Sequence, residues 1–125
     1  MLDELLGYQI IDLNENGFAV RKGKVIKHFV FEEDEGGCCG FNELSTALLI
    51  NRENTADNPV ISSVEYKRYT NDYADEDDLT ITFFGGDKAL ATIDSLSSSG
   101  SGWCYGACVR VRCVETDEEE VLTEW

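Results

Sequence analysis

FNELSTALLI, residues 41–50, is the stretch on which the fold class turns. Leu44, Leu48 and Leu49 recur at helical spacing and Asn42 stands where an N-cap belongs, so the pattern predicts a helix of about three turns. Upstream, residues 8–13 and 17–20 form two apolar runs around NEN, with Asn16 and Gly17 as a hairpin turn. After RKGK, residues 25–32 read as a strand with apolar residues on both faces, suited to the inside of a sheet. Downstream, Pro59 leads into a strand from about Val60 to Tyr69, then an acidic loop. LTITFF (79–84) and LATID (90–94) follow as a second hairpin around GGDKA. One helix among so many strands predicts an α+β fold: a mainly antiparallel sheet of about six strands with one or two packed helices.

The chain has 125 residues and is 42% hydrophobic, enough for one domain over residues 1–125 with its own core. Its tail, residues 115–125, is expected to be mobile at its acidic start, with Val121, Leu122 and Trp125 available to dock back. No run approaches the length of a membrane span. The N-terminal MLDELLGYQI carries acids where a secretory signal carries bases, so a cytoplasmic protein is expected. The 25 acidic residues exceed the 10 basic ones by 15, which repels bulk nucleic acid and anionic membranes. Five cysteines, Cys38, Cys39, Cys104, Cys108 and Cys113, are odd in number and lack paired zinc-ligand spacing, so free thiols without a metal are expected.

SSSGSGWCYGACVRVRC, residues 97–113, concentrates the functional signal. If residues 103–113 are a strand, Trp103, Tyr105, Ala107, Val109, Val111 and Cys113 share a core face. Cys104, Gly106, Cys108, Arg110 and Arg112 then share the other face. Two arginines at alternate positions present forked donors to a phosphate or carboxylate. The preceding Ser98, Ser99, Ser101 and Gly102 offer hydroxyls and backbone N–H groups of the kind that make an anion nest. The plainer alternative is that both arginines pair with acids of a neighbouring strand. Lys67 and Arg68 are further candidate phosphate contacts. Phe83 and Phe84 face opposite ways, leaving one of them for stacking or an interface.

Enzymatic readings fare worse. His28 is the sole histidine and sits within an apolar strand. The acidic EEDEGG before Cys38 and Cys39 disfavours a thiolate, and neither EEDE nor DEDD has the spacing of a calcium loop. A role without catalysis and without cofactors is expected.

The chain also resembles a family of small, mostly phage-encoded proteins. Their pattern runs Leu-x-Gly-x-x-Ile, an acidic-Cys-Cys-Ser helix opening, and a late Ser-Asn-Gly-Tyr-Tyr-Gly-Gly. Gly7, Ile10, Cys38, Cys39, Tyr105 and Gly106 match; Trp103 and Cys104 interrupt the aromatic pair, and a Ser/Gly position replaces the asparagine. The pattern is similar to the Thoeris anti-defence sponges, which enclose a cyclic ADP-ribose isomer, and in some cases cyclic oligonucleotides, between subunits without cleaving them. The resemblance implies a homo-oligomer that sequesters a nucleotide-derived immune signal in the host bacterial cytoplasm. Loop serines and Arg110 and Arg112 would hold phosphate, Phe84 or Trp103 would lie against a base, and Tyr105 would be a further ligand contact. The competing expectation is an acidic inhibitor that mimics DNA and binds a host defence nuclease through residues 32–35, 75–78 and 117–120.

Overall fold

The computed structural model describes residues 1–14, 16–34, 41–43, 48–50, 57, 59–71, 76–99 and 107–124; residues 13, 14, 41, 43, 48–50, 70, 71, 94 and 95 are described by backbone alone. The chain opens with a 3-10 turn, Leu2–Leu5. Ten strands follow: β1 Gln9–Asn14, β2 Gly17–Lys22, β3 Val25–Asp34, β4 Phe41–Glu43, β5 Leu48–Ile50, β6 Ser63–Asn71, β7 Glu76–Gly85, β8 Lys88–Ser99, β9 Cys108–Cys113 and β10 Glu119–Glu124. They form two antiparallel sheets. One has the order β1-β2-β3-β9-β10; the other has β4-β8-β7-β6, with β5 also paired to β8.

This overturns the α+β expectation. No α-helix occurs among the described residues, and FNELSTALLI supplies two short strands. Phe41–Glu43 pairs with Ser97–Ser99 and Leu48–Ile50 pairs with Ala91–Ile93, both against β8. The helical spacing of three leucines is a local preference. An open β8 edge offers two ladders of backbone hydrogen bonds, and Leu48, Leu49 and Ile50 form a continuous apolar run that suits a strand equally well. Asn42 is not an N-cap. Its side chain is buried and bonds across the sandwich. Within the acidic tail, Glu119–Glu124 form β10, whose Leu122 docks into the core while Val121 is exposed; Trp125 lies outside the described residues.

The period-2 patterns are realised closely. Along β7, Asp77, Leu79, Ile81 and Phe83 are buried while their neighbours are half-buried; along β9, Val109, Val111 and Cys113 are buried between half-buried Cys108, Arg110 and Arg112. The two inner faces meet in one core. Phe18 of β2 stacks on Phe29 of β3 at 4.8 Å between ring centroids and reaches Phe83 of the opposite sheet at 5.5 Å. Leu2 and Leu5 of the opening turn and Ile61 belong to the same cluster. Backbone bonds Gly7 N to Ile61 O and Ile61 N to Tyr8 O, each 2.8 Å, tie the first strand's entry to the approach to β6. None of the described helical segments is long and apolar enough to cross a membrane.

Gly17 serves more than the hairpin turn. A Cβ there would lie 1.9 Å from the Phe29 carbonyl oxygen, so β2 and β3 approach more closely than any side chain permits. Gly17→Ala is therefore expected to force the β2–β3 ladder apart and cost about 2–3 kcal/mol, measured by urea unfolding. Gly23→Ala serves as a comparison, because a Cβ there meets nothing within 4 Å and only its φ of +61° opposes the change.

Candidate functional site

The candidate residues divide among three surfaces. Arg110 and Arg112 lie on the outer face of the first sheet. Ser99 and Phe84 lie on the outer face of the second, at opposite ends of the β7–β8 ladder, where Ser99 pairs with Glu76 and Phe84 with Ala89. Ser98 points between the sheets, and Arg68, with its side chain 47% exposed on the edge strand, reaches in to a buried carboxylate. Ser101, Gly102, Trp103 and Tyr105 lie outside the described residues, as do Cys38, Cys39 and Cys104. Of the Ser/Gly loop expected from Ser97 onward, residues 97–99 continue β8 rather than loop away, and residues 100–106 lie outside the described residues.

Ser98 and Arg68 are structural. Ser98 is fully buried and donates its hydroxyl to Asn42 Oδ1 at 2.7 Å, with Thr123 Oγ1 also 2.7 Å away. Asn42 Nδ2 in turn donates to the Asp34 carbonyl at 2.9 Å, so one polar chain joins β8 and β4 to β10 and β3. Arg68 donates to Asp77 Oδ2 at 2.7 Å and to the Leu122 carbonyl at 2.6 Å; Asp77 Oδ2 also accepts the Glu124 N–H at 3.0 Å. Asp77 is 4% exposed, so its carboxylate is held by partners from both sheets. The sequence gives only an acid inside an acidic run, with no sign that alternation carries it inward.

On the outer face of the first sheet, β9 runs between β3 and β10. Arg110 lies opposite Glu32 and Val121, and Arg112 opposite Val30 and Glu119. Arg112 is engaged by Glu32 and, at 3.4 Å, by Asp117; the hydrogen bond to Glu32 leads the causes that raise its pKa above the ordinary guanidinium value. Arg112 thus follows the plainer reading of a cross-strand ion pair. Arg110 differs. It is half-buried, and its Nε is buried with no hydrogen-bond partner among the described residues. Beside it, burial pushes the Cys108 thiol up; Arg110 pulls it down, and Asp34 and Glu124 push it up again. The net result is a protonated thiol, poor as a nucleophile.

His28 is also accounted for. Its Nδ1 meets Glu115 Oε2 at 2.9 Å and its backbone N–H donates to the same carboxylate. Burial pushes the Glu115 carboxyl up, but the bonds from His28 outweigh this and hold it below the usual range. A cleft of about 460 Å³ opens on the second sheet, where Lys67, Arg68, Tyr69, Glu76, Asp78 and Ser97 contribute to its walls. Two carboxylates face the Lys67 ammonium and the Arg68 guanidinium there, and Arg68 is already engaged by Asp77, so the cleft has no surplus of positive charge for a phosphate. Among the described residues, no three His, Cys, Asp or Glu side chains are grouped to hold a metal ion.

Two of the three acidic runs converge. Asp34 at the end of β3, Glu124 at the end of β10 and Cys108 at the start of β9 lie in one row. The Glu124 N–H reaches Asp77 between Glu76 and Asp78 of the other sheet. The remaining run, residues 117–120, spans the turn into β10 at the opposite end of that strand. Compared with protein families, characterised proteins and solved structures, the chain matches none.

Arg68 is expected to behave as a structural residue. Arg68→Ala leaves the Asp77 carboxylate buried without its charged donor and should cost about 2 kcal/mol in urea unfolding. Amide exchange at Glu124 should accelerate with it, because that N–H shares the same carboxylate.

Proposed function

We propose that this chain is a non-catalytic binding protein that sequesters a small nucleotide-derived anion, of the class of cyclic ADP-ribose isomers and cyclic oligonucleotides, in a bacterial host attacked by phage. The observation that carries this reading is Arg110, whose buried, unpartnered Nε contrasts with the paired Arg112 next to it on the same face. A buried guanidinium N–H without an acceptor is costly, and a phosphate docked on this half-buried guanidinium supplies one once the side chain turns its Nε outward. In a chain with an excess of 15 negative charges, a phosphate ligand needs such a local exception. The resemblance in the sequence points to the same ligand class.

Native mass spectrometry against a panel of cyclic ADP-ribose isomers and cyclic di- and trinucleotides tests it. The expected outcome is retention of intact, unmodified ligand, weakened about tenfold or more in Arg110→Ala. Arg112→Ala should weaken binding less, since Arg112 is already held by two carboxylates. Absence of binding across the panel would refute the reading.

The second reading, an acidic inhibitor of a basic host defence nuclease, draws support from the convergence of residues 32–34 and 76–78 with Glu124 at one end of the sandwich. It predicts that the combined variant Glu33→Gln, Asp34→Asn, Glu76→Gln and Glu124→Gln loses protection of phage in an infection assay while Arg110→Ala retains it. The sequestration reading predicts the reverse pattern.

A further inference from the structure

The edges of the two sheets are not alike. β1 is interrupted by a register shift between Ile10 and Asp12, and β10 by one between Val121 and Thr123. β4 and β5 are each three residues long. Bulges and brevity are common devices that stop an edge from pairing with another chain. β6 has neither: nine residues, Ser63–Asn71, pair with β7 in unbroken register from Ser63↔Phe84 to Asn71↔Glu76. Among the described residues no strand pairs with its other side. Half of its backbone N–H and C=O groups therefore face outward, on a strand whose Glu65, Lys67 and Tyr69 are all exposed.

Lys67 would ordinarily guard such an edge, since an ammonium resists burial against a foreign strand. Here it shares the outer face with Glu65, already 3.5 Å away within the strand. That arrangement is self-complementary. If two copies of β6 pair antiparallel about a two-fold axis through Tyr66, Glu65 of each lies opposite Lys67 of the other, Ser63 opposite Tyr69, and Val64 opposite Arg68. Opposite charges directly across an antiparallel pair attract, and the two-fold axis makes the contact twice. On β6, Glu65 and Lys67 balance each other and Arg68 is balanced by Asp77, so in a chain of strong net negative charge this strand is an edge at which two copies can approach.

We infer that β6 is a self-association edge, through which two copies join their second sheets into one continuous sheet with Glu65 and Lys67 exchanged across the axis. The partner is a second copy of this chain, and the inference is independent of what the chain binds.

Sedimentation velocity over a range of concentrations tests it with four proteins: wild type, Glu65→Lys, Lys67→Glu and the double exchange. The side chains of Glu65 and Lys67 are 47% and 78% exposed, so the fold should tolerate each change. Wild type should dimerise reversibly. Each single reversal places like charges opposite one another twice and should weaken the dimer about tenfold or more, and the double exchange should restore it. A wild type that stays monomeric, a dimer indifferent to both single reversals, or a double exchange that fails to recover would each overturn the proposal.

Discussion

The Asp77 carboxylate is the point at which the two sheets are committed to each other. Apolar packing of Phe18, Phe29 and Phe83 brings the inner faces together, but such contacts tolerate sliding. A buried carboxylate that must satisfy the Arg68 guanidinium and the Glu124 N–H tolerates none, because misplacement leaves a charge without donors in a low-dielectric interior. The Asn42, Ser98 and Thr123 chain repeats the same logic one strand over. Hydrophobic burial drives assembly of the sandwich, and the polar seam fixes its alignment.

That alignment decides what each surface can do. Since Ser98 is buried and Arg68 is engaged by Asp77, the outer face of the first sheet keeps Arg110 as its distinctive cation, beside carboxylates that already hold Arg112. The second sheet presents a cleft in which Lys67 and Arg68 are balanced by Glu76 and Asp78.

Much of this architecture is legible from residue order. The alternation in LTITFF and in ACVRVRC places the buried and outward residues of β7 and β9 correctly, because period-2 burial against a single core leaves a direct imprint. FNELSTALLI misleads because leucine spacing carries no information about an available partner strand, and β8 is long enough to take both pieces. Ser97–Ser99 misleads in a related way: serines are read as loop, yet strand β8 uses one of them as a buried inter-sheet hydrogen bond. Polar residues inside a β-sandwich are assigned by tertiary partners, and no local pattern announces those. For the same reason Arg110 and Arg112 look equivalent in sequence and differ in space: Glu32, which lies opposite Arg110, bonds Arg112 instead, and the Arg110 Nε is buried without a hydrogen bond among the described residues.

The pairing of β3 with β9 brings together residues 80 positions apart, as the Glu32 and Arg112 contact illustrates. During synthesis the β1, β2 and β3 meander emerges with its β3 flank open until β9 leaves the ribosome, and closing so long a loop is entropically slow. A ten-residue strand bearing Phe29, Val30 and Phe31 is exposed throughout that interval. The acidic residues at its end, Glu32, Glu33 and Asp34, then act as gatekeepers against aggregation on the nascent chain before they take part in the finished fold.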